Sequence, residues 1–216
     1  MVLLLSQARG AVFDFDGTLA DSLGVWKNVD RKFFENRGLP EPDGYEQAIQ
    51  SMSITETAEY TRALAGLPES CEEIIKEWHE LAREEYNENV RLKPGAADFV
   101  LRLRNQGLKL ALATASCREF YEPVLKSAGI YGCFDAFTTL EEVSRNKSFP
   151  DIYEKTAEKL GLKTQECVAF EDILPAVCGA KSCGMKVIGV YDSHSERDSA
   201  RIKQAADGYI LSFKEI

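Results

Sequence analysis

The chain has no CxxC pair, and none of its cysteines stands near His79 or His194 at a spacing that binds zinc. This excludes Cys/His zinc frameworks and dithiol redox motifs. The six cysteines, Cys71, Cys117, Cys133, Cys167, Cys178 and Cys183, lie mostly in or beside apolar runs. There a free cysteine behaves as a small hydrophobe, and the set reads as reduced thiols of a cytoplasmic protein. No long Lys/Arg cluster occurs, and the formal net charge is −9. Nucleic acid and anionic membrane are therefore poor partners. A small anionic substrate stays open, because a local basic or metal site overrides the overall field. No stretch approaches the length of a membrane span. The opening "MVLLLSQARG" lacks a basic segment and is too short for a signal sequence, so it reads as an apolar extension packed on the core. Disorder-type composition, internal repeats and low-complexity tracts are also missing.

Two textures alternate along the 216 residues, enough for a large domain or a core with a smaller insert. Residues 1–19 and 91–216 read as strand–helix repeats. Buried parallel strands are predicted at 11–15, 108–113, 136–139, 168–170 and 186–190, with a short one at 208–211. Helices are predicted at 95–106, 119–128, 151–160 and 175–183, and Gly107, Gly129, Gly161 and Gly184 follow them as C-caps. The alternation predicts an α/β core, a Rossmann-like doubly wound parallel sheet with helices on both faces. Residues 20–90 contain no convincing strand. Leu23, Trp26, Val29, Phe33 and Phe34 mark one amphipathic helix, and Ile74, Ile75, Trp78, Leu81 and Ala82 another. Two more helices fall near 44–50 and 55–65, between breaker-rich segments. An all-helical domain thus interrupts the α/β chain after its first strand.

That first strand ends in "AVFDFDGTLADS". Residues two apart in a strand share a face, so Asp14 and Asp16 would point one way and Phe15 the other. Gly17 lets the chain turn. Ligands of open α/β sheets bind beyond the carboxyl ends of the strands. Two carboxylates so close repel unless a cation or a shared proton relieves them, and a hard divalent cation such as Mg²⁺ takes oxygen ligands. A lone DxD pair is more often a turn or helix cap. Three further signals change that balance. "LALATAS" places Thr114, Ala115 and Ser116 after the second strand, where backbone N–H groups and a hydroxyl suit a phosphate. "RNKSFPDIY" places Lys147 before a helix start as a point charge for phosphate. "CVAFEDIL" places a second acidic pair, Glu171 and Asp172, after the fourth strand. Each alone reads as a cap or a solvated loop; their order and common placement do not.

In these motifs the sequence resembles the haloacid dehalogenase superfamily, and most of all its phosphatase and β-phosphoglucomutase-like branch with a helical cap. The resemblance runs from "DFDGTLADS" through "ATAS" and "NKSFPDIY" to "FEDILPAVCGAKSCGMKVIGV". It implies that Asp14 is the nucleophile that forms an aspartyl-phosphate. Asp16 would protonate the leaving group and then activate water. Mg²⁺ would be held by the Asp14 carboxylate, the Asp16 backbone carbonyl and Asp172, with Glu171 behind them. Thr114, the Ala115 N–H and Lys147 would hold the phosphoryl oxygens. Phosphoryl transfer needs positioning and charge neutralisation above all, which agrees with this set. Ser148, Ile173 and Ala176 depart from the family pattern, where proline, serine or threonine, and glycine are usual.

The reading that follows is a Mg²⁺-dependent phosphatase for a small phosphorylated metabolite, monomeric, with residues 20–90 as a cap. Trp26, Met52, Ser53 and Thr55 are candidates for cap-side contacts, although packing or solvation explains each. A β-phosphoglucomutase-like activity is the alternative, weakened because Trp26 stands where such enzymes tend to carry histidine and "SMSITET" has no basic residue. A dehalogenase would lack Asp16, and a pyrophosphatase is a further option. A phospho-accepting receiver would lack the insert, a glycosyltransferase DxD site explains neither Lys147 nor the insert, and the full acidic and lysine set argues against a silent interaction module. His79 and His194 receive no role.

Overall fold

The computed structural model describes residues 2–22, 24–49 and 52–216. Leu23 and Gln50, which the predicted insert helices include, and the side chains of Val2 and Leu3 lie outside the described residues. The chain divides into two compact units, residues 1–23 with 91–216, and residues 24–90.

The first unit begins with a short helix α1 (Val2–Ser6) and strand β1 (Gly10–Phe13). A two-residue strand β2 (Ala20–Asp21) pairs antiparallel with β3 (Arg91–Leu92). β2 falls at the start of the segment predicted to be strand-free, and β3 just beyond its end where no strand was predicted; two residues are too few to leave a period-2 signature. Next come α6 (Ala96–Asn105), β4 (Lys109–Thr114), α7 (Arg118–Ser127) and β5 (Ala136–Thr139). Then follow α8 (Asp151–Leu160), β6 (Cys167–Glu171), α9 (Leu174–Ser182), β7 (Lys186–Val190), α10 (Ser199–Ala205) and β8 (Gly208–Ile210). The main sheet has the order β5-β4-β1-β6-β7-β8, and its strand pairs are parallel. Chain order runs outward from β1 to one edge and then returns to build the other side. The ends of β1, β4 and β6 thus form the switch-point crevice where such sheets bind ligands.

Both faces of the sheet are covered, so the strands read as apolar throughout. On one face Val12, Ala111, Ala113, Ala169 and Val187 pack with Ile152, Tyr153, Ala157, Val177 and Ile202 of α8, α9 and α10. On the other, Phe13 stacks on Phe170 with ring centroids 4.6 Å apart, and both meet Phe99 of α6. Gly107, Gly129, Gly161 and Gly184 follow their helices with positive φ, as the sequence implied.

The second unit contains helices α2 (Val25–Glu35), α3 (Tyr45–Ile49), α4 (Ile54–Ala65) and α5 (Cys71–Glu88). Ser53 and Ser70 start α4 and α5 with capping boxes to Glu56 and Glu73. Its core is aromatic: Phe33 packs on Phe34 and Trp78, and Phe34 on Tyr45, whose hydroxyl meets Thr61 Oγ1 at 2.6 Å. Val25, rather than Trp26, completes the buried stripe of α2; Trp26 is 45% exposed. Glu85 is buried beside Lys32 at 2.7 Å and accepts hydrogen bonds from Asn28 and Asn89. Burial alone would raise its carboxyl pKa, but these three partners hold it below the ordinary value.

Candidate active site

Asp14 directly follows Phe13, the last paired residue of β1, and Asp16 lies in the turn beyond, so the period-2 expectation does not carry through them. Asp14 keeps one ladder bond, donating its N–H to the Phe170 carbonyl at 3.1 Å. The chain then folds back, with Ala20 N–H donating to Phe15 O at 2.8 Å and Gly17 N–H to Ala20 O at 3.0 Å. Gly17 is required twice over. Its φ is +74°, and a Cβ there would run into the Asp172 carboxylate. Thr18 Oγ1 donates to Asp172 Oδ1 at 3.0 Å, tying the β1 turn to the end of β6.

Thr114 is the last residue of β4, the strand beside β1, and is buried. Its hydroxyl oxygen accepts from Ser116 N–H at 3.0 Å. Ala115 is exposed at the start of the loop, and Ser116 Oγ donates to the Asp16 carboxylate. Lys147 comes from a loop pinned by Asn146, whose Oδ1 accepts from Ser148 N–H at 3.1 Å. A proline at 148 could not make that bond, so the departure from the family pattern exchanges a rigid ring for a hydrogen bond. Lys147 Nζ stands 2.7 Å from Asp14 Oδ1 and 2.7 Å from Glu171 Oε1.

Asp14, Glu171 and Asp172 present carboxylate oxygens that all lie within 4.8 Å of one another, and all three residues are buried. Tyr153 OH donates to Glu171 Oε1 at 2.7 Å, while Glu171 Oε2 is buried with no hydrogen-bond partner among the described residues. Burial raises the Asp14 carboxyl above its usual range against the pull of Lys147, and Asp16 adds to the rise. Glu171 is pushed up to about 8, chiefly by burial and despite Lys147. Asp172 is pushed up to about 7 by burial and then by Asp14. Burial works to lower the Lys147 pKa, but Asp14 and Glu171 overcome it and hold the ammonium charged. Three carboxylates facing one ammonium, with one oxygen unpartnered, form a donor set that suits a hard divalent cation.

A family model for haloacid dehalogenase-like hydrolases matches residues 11–190. The chain belongs to this family. This hydrolase is 26% identical over 209 residues to the phosphorylated carbohydrates phosphatase of Thermotoga maritima, covering 96% of each chain. It is 28% identical over 200 residues to hexitol phosphatase B of Escherichia coli, covering 89% of this chain and 87% of that one. Among solved structures, CbbY from Rhodobacter sphaeroides in complex with phosphate covers 96% of each chain at 25% identity, with a TM-score of 0.74. The hydrolase is thus an enzyme of the phosphatase kind on a Rossmann-like α/β core, as its motifs implied.

The structure brings Asp14, Lys147, Glu171 and Asp172 into one cluster and sets Thr114 and Ala115 on the neighbouring strand end. Asp16 meets Ser116 through its side chain. Glu171 shares one group of close carboxylate oxygens with Asp14 and Asp172. In the helical unit, Trp26 and Thr55 are exposed, Met52 is half-buried, and the Ser53 hydroxyl is taken by the N–H of Glu56. Thr18 and Tyr153, which bind Asp172 and Glu171, sit inside the DFDGTLADS and NKSFPDIY motifs but were not singled out from the sequence.

Proposed function

We propose that this hydrolase is a Mg²⁺-dependent phosphatase for a small phosphorylated metabolite, of the phosphorylated sugar or sugar-alcohol class, working through an aspartyl-phosphate on Asp14. The observation that carries the reading is the Lys147 ammonium shared at 2.7 Å between Asp14 and Glu171, within the buried acidic group that includes Asp172. The names of the Thermotoga and Escherichia relatives support the substrate class.

Asp14 attacks phosphorus and the bond to the leaving oxygen breaks as Asp16 delivers a proton to it. Asp16 then takes a proton from water, the water oxygen attacks phosphorus, and the Asp14–phosphorus bond breaks to release phosphate. Thr114, the Ala115 N–H and Lys147 hold the phosphoryl oxygens while charge builds on them. Mg²⁺ would be held by the Asp14 and Asp172 carboxylates and the Asp16 carbonyl, and when bound it would offset repulsion between the anionic nucleophile and the phosphate. Ser116 fixes the Asp16 carboxylate for its proton transfers. The helical unit, residues 24–90, is assigned the role of a cap that excludes water and selects the leaving group. Among the described residues no helix is long and apolar enough to cross a membrane, and the cysteines are free, which supports a cytoplasmic location.

The test is phosphate release from a panel of phosphorylated sugars, sugar alcohols, nucleotides and pyrophosphate, with Mg²⁺ or EDTA. Mg²⁺-dependent release that is abolished in Asp14→Asn and crippled in Asp16→Ala on poor leaving groups is expected. Ordinary turnover by pure Asp14→Asn would overturn the nucleophile. Conversion of β-glucose 1-phosphate to glucose 6-phosphate without free phosphate would move the assignment to a phosphomutase.

A further inference from the structure

We propose that Lys93 is a positioning residue for the phosphoryl-transfer site, clamping the turn that carries Asp14 and Asp16 against the loop after β7. The proposal rests on the catalytic reading of that site. Lys93 follows β3, and its ammonium has three protons and three acceptors. It donates to the Gly17 carbonyl, to the Tyr191 carbonyl at 2.8 Å and to Asp192 Oδ2 at 2.7 Å. The Lys93 side chain is 14% exposed and that of Asp192 only 2%.

Every part of this clamp is itself held. Lys93 N–H donates to Leu19 O at 2.8 Å, and its carbonyl accepts from Ala96 N–H at 3.0 Å. The second Asp192 oxygen accepts from His194 N–H at 2.9 Å. A plain ion pair would need Asp192 alone. The two carbonyls are what make the contact positional, because they come from loops the sheet does not join directly. β6 lies between β1 and β7, and its end carries Glu171 and Asp172. The ladder fixes each of those loops against β6, not against the other; Lys93 closes the arch over Asp172. Gly17 is thereby held on both sides, its Cα close against the Asp172 carboxylate and its carbonyl on the Lys93 ammonium.

Lys93→Met alone strands a buried carboxylate and risks unfolding. The decisive variant is Lys93→Met with Asp192→Asn, which removes the charge pair together and leaves the two carbonyls without their donor. Folding would be checked by cooperative thermal unfolding. Positioning would be read by hydrogen exchange of amides 15–20, by Mg²⁺ calorimetry, and by kcat and KM on the best substrate of the panel. Faster exchange in that turn is expected, with Mg²⁺ affinity reduced on the order of 10–100-fold and kcat lowered more than KM is raised. A folded double variant with wild-type exchange, Mg²⁺ affinity and kcat would overturn the proposal, leaving Lys93 as a structural ion pair. If the wild type turned over nothing in the panel, the catalytic reading would fail, while exchange and calorimetry would still decide whether Lys93 holds the turn.

Discussion

Gly179 lies inside α9 with helical backbone, so space rather than conformation explains it. A Cβ there would stand 3.0 Å from the Phe149 carbonyl oxygen, and it would overlap the Lys147 carbonyl oxygen by about 1 Å relative to an ordinary C–H···O separation. Gly179→Ala must therefore push the Lys147 loop outward by about 1 Å. Lys147 Nζ sits at 2.7 Å from both Asp14 and Glu171, so that shift moves the charge meant for the phosphoryl group. A misplacement of about 1 Å costs on the order of 10²-fold in rate. Stability should fall by up to about 2 kcal/mol, because the atoms a Cβ meets are backbone and the roughly 1 kcal/mol an alanine gains in helix propensity offsets only part of about 1–3 kcal/mol of overpacking. The assay is steady-state phosphate release beside thermal unfolding of the same sample. A variant that still unfolds cooperatively, at a somewhat lower temperature than the wild type, yet loses most of its kcat is expected. Wild-type kcat in folded Gly179→Ala would refute the idea that this helix surface sets the position of Lys147.

Two further outcomes are expected. Saturating Mg²⁺ added to EDTA-treated protein should raise its unfolding temperature, about 2.7 kcal/mol of stabilisation at 100 times the dissociation constant, and Asp172→Asn should abolish most of that gain; an unchanged gain in the variant would remove Asp172 from the metal site. In the helical unit, burial, then Glu41 and Glu46, push the Asp30 carboxyl up to about 7. Its folded pKa exceeds the unfolded value, so its contribution to stability is full below about pH 4 and is lost as pH rises through about 7. Asp30→Asn should therefore stabilise the protein more at pH 8 than at pH 5, by roughly 1 kcal/mol once partial solvent exposure is allowed for. Equal effects at the two pH values in thermal unfolding would contradict the shifted carboxyl.

The sequence by itself determined the elements, the fold class and the family that local pattern encodes. Strands at 136–139 and 186–190 and the helix at 151–160 were predicted to the residue, because apolar runs, glycine caps and a Pro-Asp start are local signals. Asp14, Asp16, Lys147, Glu171 and Asp172 were legible because each motif places its residue at the end of a strand or in the loop before a helix, and parallel topology gathers the strand ends on one edge. Tertiary structure alone decided how those residues face one another. Strand β1 ends at Phe13, so strand periodicity could not place Asp16 against Ser116. Gly179 looks like an ordinary helix glycine until the Lys147 loop packs on it. Lys93 and Asp192 stand 99 residues apart, and each looks like a solvated loop charge. Their pairing exists only because β6 threads between β1 and β7, bringing two loops within reach of one ammonium. Contacts of that kind depend on sheet order and loop closure, which no local stretch of sequence contains.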